Sequence, residues 1–428
     1  MFSLFRRALL QFLVTGLMIS GVSSVLPAYS PAILRNGFQD HSLQELIQDY
    51  FVQGFTNSEI LGFLSFVHGI SLAMRTLKRW LKRMGLKRAK RTNEAPLEDI
   101  VFAIIVEMER FVGSFVGYRE MTRRLRVRHN LNIRRDKVTQ AMREIDPEGA
   151  ENRRRRRLQR RRYRSPGPNF IWHLDGWDKL KPYGFCVHGC VDGFSRRILW
   201  LEVNVTNKNP NVMLHHFLCT VQQLEGVPRL LRTDLGTENV WISAIQKLLR
   251  RNGTDSLAGE KSVIQGKSSA NQRIEAYWSK LRCGGGGWWI NFFKDLRDSG
   301  IYKDHDAFHR ECLKFFFMPV LRKELYSVAQ LWNIKAIQVK KNADVAGGKP
   351  HLMFFVPEAY STKNYLENID KDEVELCKAM YAEKSRDASL EVEEVVNYIV
   401  PDYRVPENTD QALQLFLEIT SRLENLGY

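Results

Sequence analysis

The sequence predicts an α/β fold, in which a mixed sheet flanked by helices follows helical units and precedes a helical C-terminal region. Between residues 168 and 282, short apolar runs alternate with helical stretches, which is typical of a mixed α/β layer. Upstream of this region, short helical patterns are punctuated by Gly and by capping signals. A chain of 428 residues is too long for one typical domain, so we expect about two to four domains.

Residues 1–40 form an apolar leader whose status the sequence leaves open. Arg6 and Arg7 precede a mostly apolar run at residues 8–14, and a second apolar stretch follows. This pattern resembles a secretory signal peptide or an organelle presequence, and a mispredicted or vestigial leader is the alternative. Gly16 and several hydroxyl side chains argue against a full membrane span, so we expect no stable membrane association.

The charge of the chain favours a polyanionic partner. The formal net charge is +16 at pH 7, which favours binding to nucleic acid. The charge is uneven, because residues 365–428 hold 15 acidic and 6 basic residues. In the acidic C-terminal region, residues 346–428, helices are predicted near 372–385 and 410–426. They either shield a basic surface or face solvent.

A helix-turn-helix unit of three short helices is predicted over residues 41–92. Thr56 and Glu59 have the spacing of a capping box, so a helix should begin between them. A third helix should run over residues 72–84 with Ser71 as its cap.

The third helix of this unit carries basic side chains on one face, while Leu77, Trp80 and Leu81 turn toward a core. Such a face is how a recognition helix presents its side chains to the major groove of DNA. The alternative is a basic, solvated face on a helical bundle. We assign four residues of this face to DNA binding, namely Arg75, Lys78, Arg79 and Lys82.

A second helical DNA-binding unit is predicted over residues 95–150. Residues 97–110 are apolar enough for a core helix, the GYRE stretch at 117–120 opens the next helix, and residues 135–145 form a third. Its three predicted helices therefore match the three-helix pattern of the first unit.

An Arg-rich linker occupies residues 151–168, and nine of the twelve residues at 153–164 are Arg. So many like charges keep a segment extended unless an anion is present. We interpret it as a phosphate-contacting linker whose binding weakens steeply with salt, because each neutralised phosphate releases counterions. A nuclear-localisation tract is compatible with this interpretation, and a solvated linker is the alternative. The linker residues assigned to DNA binding are Arg153, Arg154, Arg155, Arg156 and Arg157.

The α/β core and its adjoining helices are predicted over residues 169–345. An Asp-Gly pair between two apolar runs signals a hairpin, so we interpret Asp192 as a structural turn residue. Residues 252–266, rich in Gly and polar side chains, are predicted to form a loop. The predicted strands are residues 170–175, 184–191, 197–205 and 228–233, and the predicted helices are residues 210–224, 240–250, 288–302 and 305–331.

Three acidic residues stand where they could converge on divalent metal. Asp175 and Asp234 each end an apolar strand, and Glu275 lies in a helical stretch among basic and polar residues. Hard oxygen ligands suit Mg²⁺ or Mn²⁺, and two such ions supply what phosphodiester transfer needs. Asp178 is a weaker candidate, because it lies beyond the apolar run. A solvated turn is the alternative interpretation for any one of these acids.

The ordered set of acids resembles the D-D-E core of integrases and transposases, which belong to the ribonuclease-H-like superfamily. The resemblance is carried by HLD at 173–175, TDLGTEN at 233–239 and SANQRIEAYWSKLR at 269–282. It covers about residues 165–345, and the GYRE stretch extends it more weakly over residues 40–150. It implies a ribonuclease-H-like sheet in a transposon-derived protein. We expect DNA as the partner, a homo-oligomer on DNA ends, and the nucleus as the location.

The resemblance also implies roles for the three acids. Asp175 would bridge two Mg²⁺ or Mn²⁺ ions, with Asp234 and Glu275 each holding one. The step of 41 positions from Asp234 to Glu275 is longer than in retroviral integrases, and Leu235 stands where many relatives have Asn. Four polar residues share the helical face of Glu275 and would line the DNA strand being cut, namely Asn271, Gln272, Ser279 and Arg282.

We therefore expect a DNA integrase/transposase-like enzyme, a DDE polynucleotidyl transferase that performs two-metal cleavage and strand transfer. A domesticated, catalytically silent DNA-binding protein derived from a transposon integrase is the alternative. A ribonuclease H acting on hybrids would not need the upstream helix-turn-helix units. The hypothesis of a secreted or structural protein would account for the leader and for no other feature.

Two other site classes are disfavoured by their spacing. The four glycines at residues 284–287 lack the spacing and trailing Lys of a phosphate-binding loop, so we expect them to end a helix and act as a flexible joint. The six Cys residues lack zinc-finger spacing. Cys186 and Cys190 lie in an apolar, strand-like run, so we expect them to be buried free thiols in a reducing compartment.

Overall fold

The computed structural model describes residues 42–88, 94–107, 117–145, 165–266, 271–338, 346–400 and 402–425. The apolar leader and the predicted DNA contacts at residues 153–157 therefore lie outside the described residues. Among the described residues, no helix combines the length and the apolar character needed to cross a membrane.

The first unit contains the helices α1 (Leu43–Val52), α2 (Asn57–Phe66) and α3 (Met74–Arg83). The capping box predicted at Thr56 is confirmed, because Thr56 Oγ1 accepts from the backbone N–H of Glu59 and the Glu59 carboxylate accepts from that of Thr56. The predicted cap at Ser71 is wrong. Ala73 is the N-cap of α3 and makes no side-chain capping bond, since the chain is still non-helical before it.

The second unit contains the helices α4 (Leu97–Glu107), α5 (Tyr118–Arg128) and α6 (Arg135–Ile145). Fully buried Glu107 pairs with Arg128 at 3.1 Å and contacts Nε2 of His129 at 3.0 Å. Arg128 also pairs with Glu324 at 3.2 Å and donates to Ser327 Oγ at 2.7 Å. A single Arg thus ties the buried acid of this unit to the core.

The core contains a five-stranded mixed sheet in the order β3-β2-β1-β5-β6. The strands of the chain are β1 (Ile171–Trp177), β2 (Cys186–Asp192), β3 (Ile198–Asn204), β4 (Gly226–Val227), β5 (Leu230–Thr233), β6 (Val263–Gln265) and β7 (Glu367–Asn368). β2 is antiparallel to both β1 and β3, whereas β5 is parallel to both β1 and β6. The predicted loop at residues 252–266 is wrong in part, because it includes β6.

Helices cover both faces of this sheet. They are α7 (Pro210–Leu224), α8 (Val240–Leu249), α9 (Gln272–Leu281), α10 (Gly287–Asp298) and α11 (Ala307–Asn333). Side chains alternate along β1, so Trp172 and Leu174 pack in one cluster with Phe217 of α7. His173 and Asp175 point the other way and contact α9. This alternation places Asp175 on the side of the sheet that carries Glu275.

The predicted end of α9 at the four glycines is confirmed, and Gly285 and Gly286 are buried in the turn that follows. The chain passes from α9 into α10 through a wide turn at Arg282–Gly286, which is kinked at Gly285 because the backbone there is non-helical. A Cβ atom on Gly286 would overlap the ring of Trp177 in β1. Glycine at this position therefore lets the helical turn approach the sheet closely.

The acidic C-terminal region is part of the folded core. Its helices are α12 (Pro350–Phe355), α13 (Lys371–Tyr381), α14 (Leu390–Ile399) and α15 (Thr409–Asn425). Val396 of α14 and Phe416 of α15 are fully buried in the same cluster as Phe316 of α11. Asp387 pairs with Arg322 of α11 at 2.5 Å. The solvated interpretation of this region is therefore wrong, and α14 was not predicted.

Candidate active site

Asp175 lies near the end of β1, directly opposite Gly189 of β2. Only 8% of the residue is exposed. Its Oδ2 atom accepts a hydrogen bond from Nε1 of Trp278, a residue of α9, at 2.9 Å. The carboxylate is therefore held between the sheet and the helix that covers it.

Asp234 directly follows β5, the strand adjacent to β1. The two strands are parallel, with Ile171 opposite Leu230. Their carboxyl ends, and with them Asp175 and Asp234, thus lie at the same edge of the sheet. Asp234 Oδ1 accepts a hydrogen bond from the backbone N–H of Gly236 at 3.1 Å, a turn contact that follows the strand.

Glu275 lies half-buried in the first turn of α9. An acid is favoured there by the partial positive charge of the helix N-terminus. The helix begins after Asn271, whose Nδ2 donates to the carbonyl oxygen of Leu174 at 2.6 Å. Asn271 Oδ1 lies 2.7 Å from Nδ1 of His173. The N-terminus of α9 is thereby attached to β1 beside Asp175.

Burial and neighbouring negative charges raise the pKa of Asp175 and of Glu275. Burial raises the pKa of Asp175 to about 7, the hydrogen bond from Trp278 opposes that rise, and the charges of Glu275 and Asp234 add to it. Burial, and then the charge of Asp234, also raises the pKa of Glu275. Mutual repulsion of this kind favours a cation near the three acids. Their hard oxygen atoms are the donors that Mg²⁺ and Mn²⁺ prefer, so the donor set fits these ions.

A compact metal shell is not preformed. In the described part of the chain, no three His, Cys, Asp or Glu side chains are grouped so that they could hold a metal ion as they stand. Like-charged carboxylates repel one another, which disfavours a tight ligand set unless a cation is bound. The metal-binding roles of Asp175, Asp234 and Glu275 therefore stay a prediction.

Glu238 is a further acid at this edge of the sheet, and sequence reasoning missed it. It lies in the short helical turn at Thr237–Asn239, just before α8. Burial raises the pKa of Glu238, and the charges of Asp234 and Asp178 raise it further. The TDLGTEN stretch contained this acid, but no spacing rule separated it from an ordinary turn residue.

Asp178 and Asp192 both make structural contacts. Asp178 is about half exposed, pairs with Lys181 at 3.1 Å and accepts from Asn207 at 3.0 Å. Asp192 is fully buried, and its two carboxylate oxygens accept from the backbone N–H of Asn169 and from the N–H and hydroxyl of Ser195, each at 2.7 Å. These contacts support the structural interpretation of Asp192. Because both oxygens accept, asparagine is a poorer replacement there than at an ordinary turn.

The predicted strand-lining residues share a face of α9 with Glu275. Gln272 is half-buried, whereas Ser279 and Arg282 are exposed. Ser279 Oγ donates to the carbonyl oxygen of Glu275 at 3.3 Å, so this hydroxyl also bonds within the helix. The face is thus polar and open, as contact with a nucleic acid strand would require.

The basic face predicted for the third helix lies on α3. Its four assigned side chains, Arg75, Lys78, Arg79 and Lys82, are all exposed. On the opposite side of α3, Leu77 and Leu81 are buried in a cluster that also contains Leu331 and Leu352 of the core. The unit therefore packs on the core with its basic face outward. Whether this face binds DNA stays a prediction.

The predicted strand-lining face includes Asn271, whereas the sequence did not single out Trp278. The strand-lining role of Asn271 is wrong, because the structure buries Asn271 against β1. The contacts of Asn271 and Trp278 with β1 span 97 and 103 positions of the chain. A Trp on an amphipathic helix is usually a core residue, and an Asn at a helix start is usually a cap. The sequence signal that could have identified their contacts with β1 was their position, about one helical turn before and after Glu275.

The family comparison agrees with this geometry. Residues 162–347 match the family model described as Integrase core domain. No curated protein matches the chain. The matched segment spans the sheet from β1 to β6, together with α9 and α11. The chain therefore contains an integrase core domain, the ribonuclease-H-like catalytic domain of integrases, at residues 162–347.

Proposed function

We propose that this chain is a DNA integrase/transposase-like enzyme, a polynucleotidyl transferase that cleaves DNA and transfers the cut strand. One observation carries the proposal. Asp175 and Asp234 lie at one edge of the sheet of an integrase core domain, and the charge of Glu275 on α9 raises the pKa of Asp175. A carboxylate whose pKa is raised by burial and by neighbouring acids is typical of catalytic centres.

In this proposal, Asp175, Asp234 and Glu275 would hold two Mg²⁺ or Mn²⁺ ions. The ions would activate the attacking oxygen and neutralise the leaving 3′-oxygen. The chain itself supplies negative charge at the edge of the sheet and a fixed orientation for Asp175 through Trp278. The exposed face of α9 would position the DNA strand through Gln272, Ser279 and Arg282.

DNA is the proposed partner of the upstream units as well. The four exposed basic residues of α3 would enter or flank a groove. The Arg-rich linker, including residues 153–157, would neutralise phosphates between those units and the core. We further propose that the protein acts in the nucleus and forms a homo-oligomer on DNA ends.

The test is metal-dependent cutting and joining by the purified full chain. Labelled duplex ends are incubated with Mg²⁺ or Mn²⁺, and nicked and joined products are separated on a denaturing gel. Asp175→Asn should remove both products while DNA affinity stays within about twofold, because a single change in the metal-binding set would affect attack and departure together. Asp178→Asn is the matched control and should keep full activity. Activity that survives Asp175→Asn but disappears in Asp178→Asn would show that the wrong acid was assigned.

A domesticated, catalytically silent DNA-binding protein is the second candidate. It is favoured by the environment of Asp175, whose pKa of about 7 leaves part of the population neutral near pH 7. A neutral carboxyl group is a poor metal ligand. Salt-dependent DNA binding without any cutting, at pH 7 and at about pH 8.5, would select this candidate over the enzyme.

A further inference from the structure

The helix that carries Glu275 is attached to β1 at two points, one on each side of Glu275. Four positions before it, fully buried Asn271 bonds to Leu174 and His173 of β1. Three positions after it, Trp278 bonds to Asp175 of the same strand. The two points lie about one helical turn from Glu275 in each direction.

The Asn271 contact has a defined direction. Its Nδ2 group donates to the carbonyl oxygen of Leu174, which leaves Oδ1 as an acceptor facing Nδ1 of His173. Because Oδ1 can only accept, Nδ1 of His173 is the donor in this contact. The contact therefore fixes the start of α9 on β1 in a single arrangement.

The Trp278 contact acts directly on a carboxylate oxygen. Trp278 is only 6% exposed, and its Nε1 lies 2.9 Å from Oδ2 of Asp175. An indole N–H is a donor only, and it neither titrates nor competes for a cation. The bond therefore holds one oxygen of Asp175 toward the helix.

The place that the indole ring occupies depends on a glycine. Gly189 is the residue of β2 that stands opposite Asp175. A Cβ atom at Gly189 would lie 2.8 Å from Cη2 of Trp278, closer than real contacts of this kind allow. The ring can therefore reach Asp175 only because position 189 has no side chain.

We propose that Trp278 is a positioning residue for Asp175, and that Gly189 and Asn271 keep Trp278 and α9 in the place this requires. This role rests on the proposed function, because it assigns Trp278 to the orientation of a metal-binding carboxylate. Hydrogen-bond partners of ligating groups orient them, and their loss typically weakens metal affinity by about 10–100-fold.

The test uses the full chain and a readout that does not need activity. Mn²⁺ is titrated into the metal-free protein, and the rise in unfolding temperature gives the midpoint of binding. Trp278→Phe removes the N–H and keeps an aromatic ring. Gly189→Ala keeps the N–H but displaces the ring. Tyr277→Phe is the matched control on the same helix, because the buried Tyr277 hydroxyl has no hydrogen-bond partner among the described residues.

We expect the Mn²⁺ midpoint to rise about tenfold or more in Trp278→Phe and in Gly189→Ala. The midpoint of Tyr277→Phe should stay within about twofold of the unmutated protein. Equal midpoints in Trp278→Phe and the unmutated protein would overturn the positioning role while leaving the proposed function intact. An equal rise in Tyr277→Phe would overturn it too, since general loosening of α9 would then suffice. If Mn²⁺ fails to stabilise even the unmutated protein, the proposed function itself is overturned and the positioning role with it.

Discussion

Replacing Asp175 with asparagine should stabilise the metal-free protein at neutral and alkaline pH. Asp175 is 8% exposed, and burial raises its pKa from 3.8 to about 7. At about 1.4 kcal/mol for each pKa unit, this shift corresponds to at most about 4 kcal/mol of destabilisation when the group is charged. Asparagine has the same shape, carries no charge, and can still accept the hydrogen bond from Trp278.

The effect must depend on pH in one direction. The folded state binds the Asp175 proton more tightly than the unfolded chain does, so folding is not penalised below about pH 4. The penalty grows as the pH rises from about 4 to about 7 and is complete above that. The advantage of Asp175→Asn should therefore be largest near pH 8 and should disappear near pH 4.

Urea unfolding in the presence of a chelator measures this difference at the two pH values. Asp178→Asn is the control, because it makes the same substitution at an acid that is about half exposed. Added Mn²⁺ should stabilise the unmutated protein more than Asp175→Asn. The reasoning would be refuted if Asp175→Asn were less stable than the unmutated protein near pH 8. It would also be refuted if the substitution changed the free energy of unfolding equally at both pH values.

Three further predictions concern other parts of the chain. Asp192→Asn should lower the urea midpoint by the equivalent of about 1–3 kcal/mol, because an amide group would replace a buried accepting oxygen; an unchanged midpoint would contradict this. Alanine at residues 153–157 should flatten the plot of log DNA affinity against log salt by about 0.9 for each phosphate that the protein no longer neutralises, and an unchanged slope would show that the run does not touch phosphate. Glu107→Gln should cost about 3–5 kcal/mol in thermal unfolding, since Arg128 would lose a buried partner, and Glu98→Gln on the same helix is the control. Burial alone would raise the pKa of Glu107, but Arg128 and Arg124 hold it low, so this contribution should fade as the pH falls below about 4.

Local signals in the sequence predicted most of the fold. The capping box at Thr56 and the helix Pro210–Leu224 have the expected bounds, because side-chain caps and a leading Pro act within a few residues. The strand β6 was missed because its three residues become a strand only by pairing with β5. The helix Leu390–Ile399 was missed for a similar reason, since it is stabilised by packing on α11.

The site was predictable as a set of acids but not as an arrangement. The order of Asp175, Asp234 and Glu275 along predicted strands and a helix was the basis for predicting a metal site. The hydrogen bond between Asp175 and Trp278 joins residues 103 positions apart, so no local pattern encodes it. The closeness of Gly189 to Trp278 depends in the same way on the register of two strands and on a helix that crosses them.

The C-terminal helices extend the folding unit of the integrase core domain beyond the residues that match the family. The family match ends at residue 347, yet Phe416 and Val396 lie inside the same apolar cluster as α11. The short strand β4 also finds its partner, β7, beyond that limit. A protein cut at the family boundary would leave this apolar surface in water and one strand without a neighbour, which favours aggregation. Deletion experiments on this chain should therefore keep the residues through α15, or the loss of a fold will be mistaken for the loss of an activity.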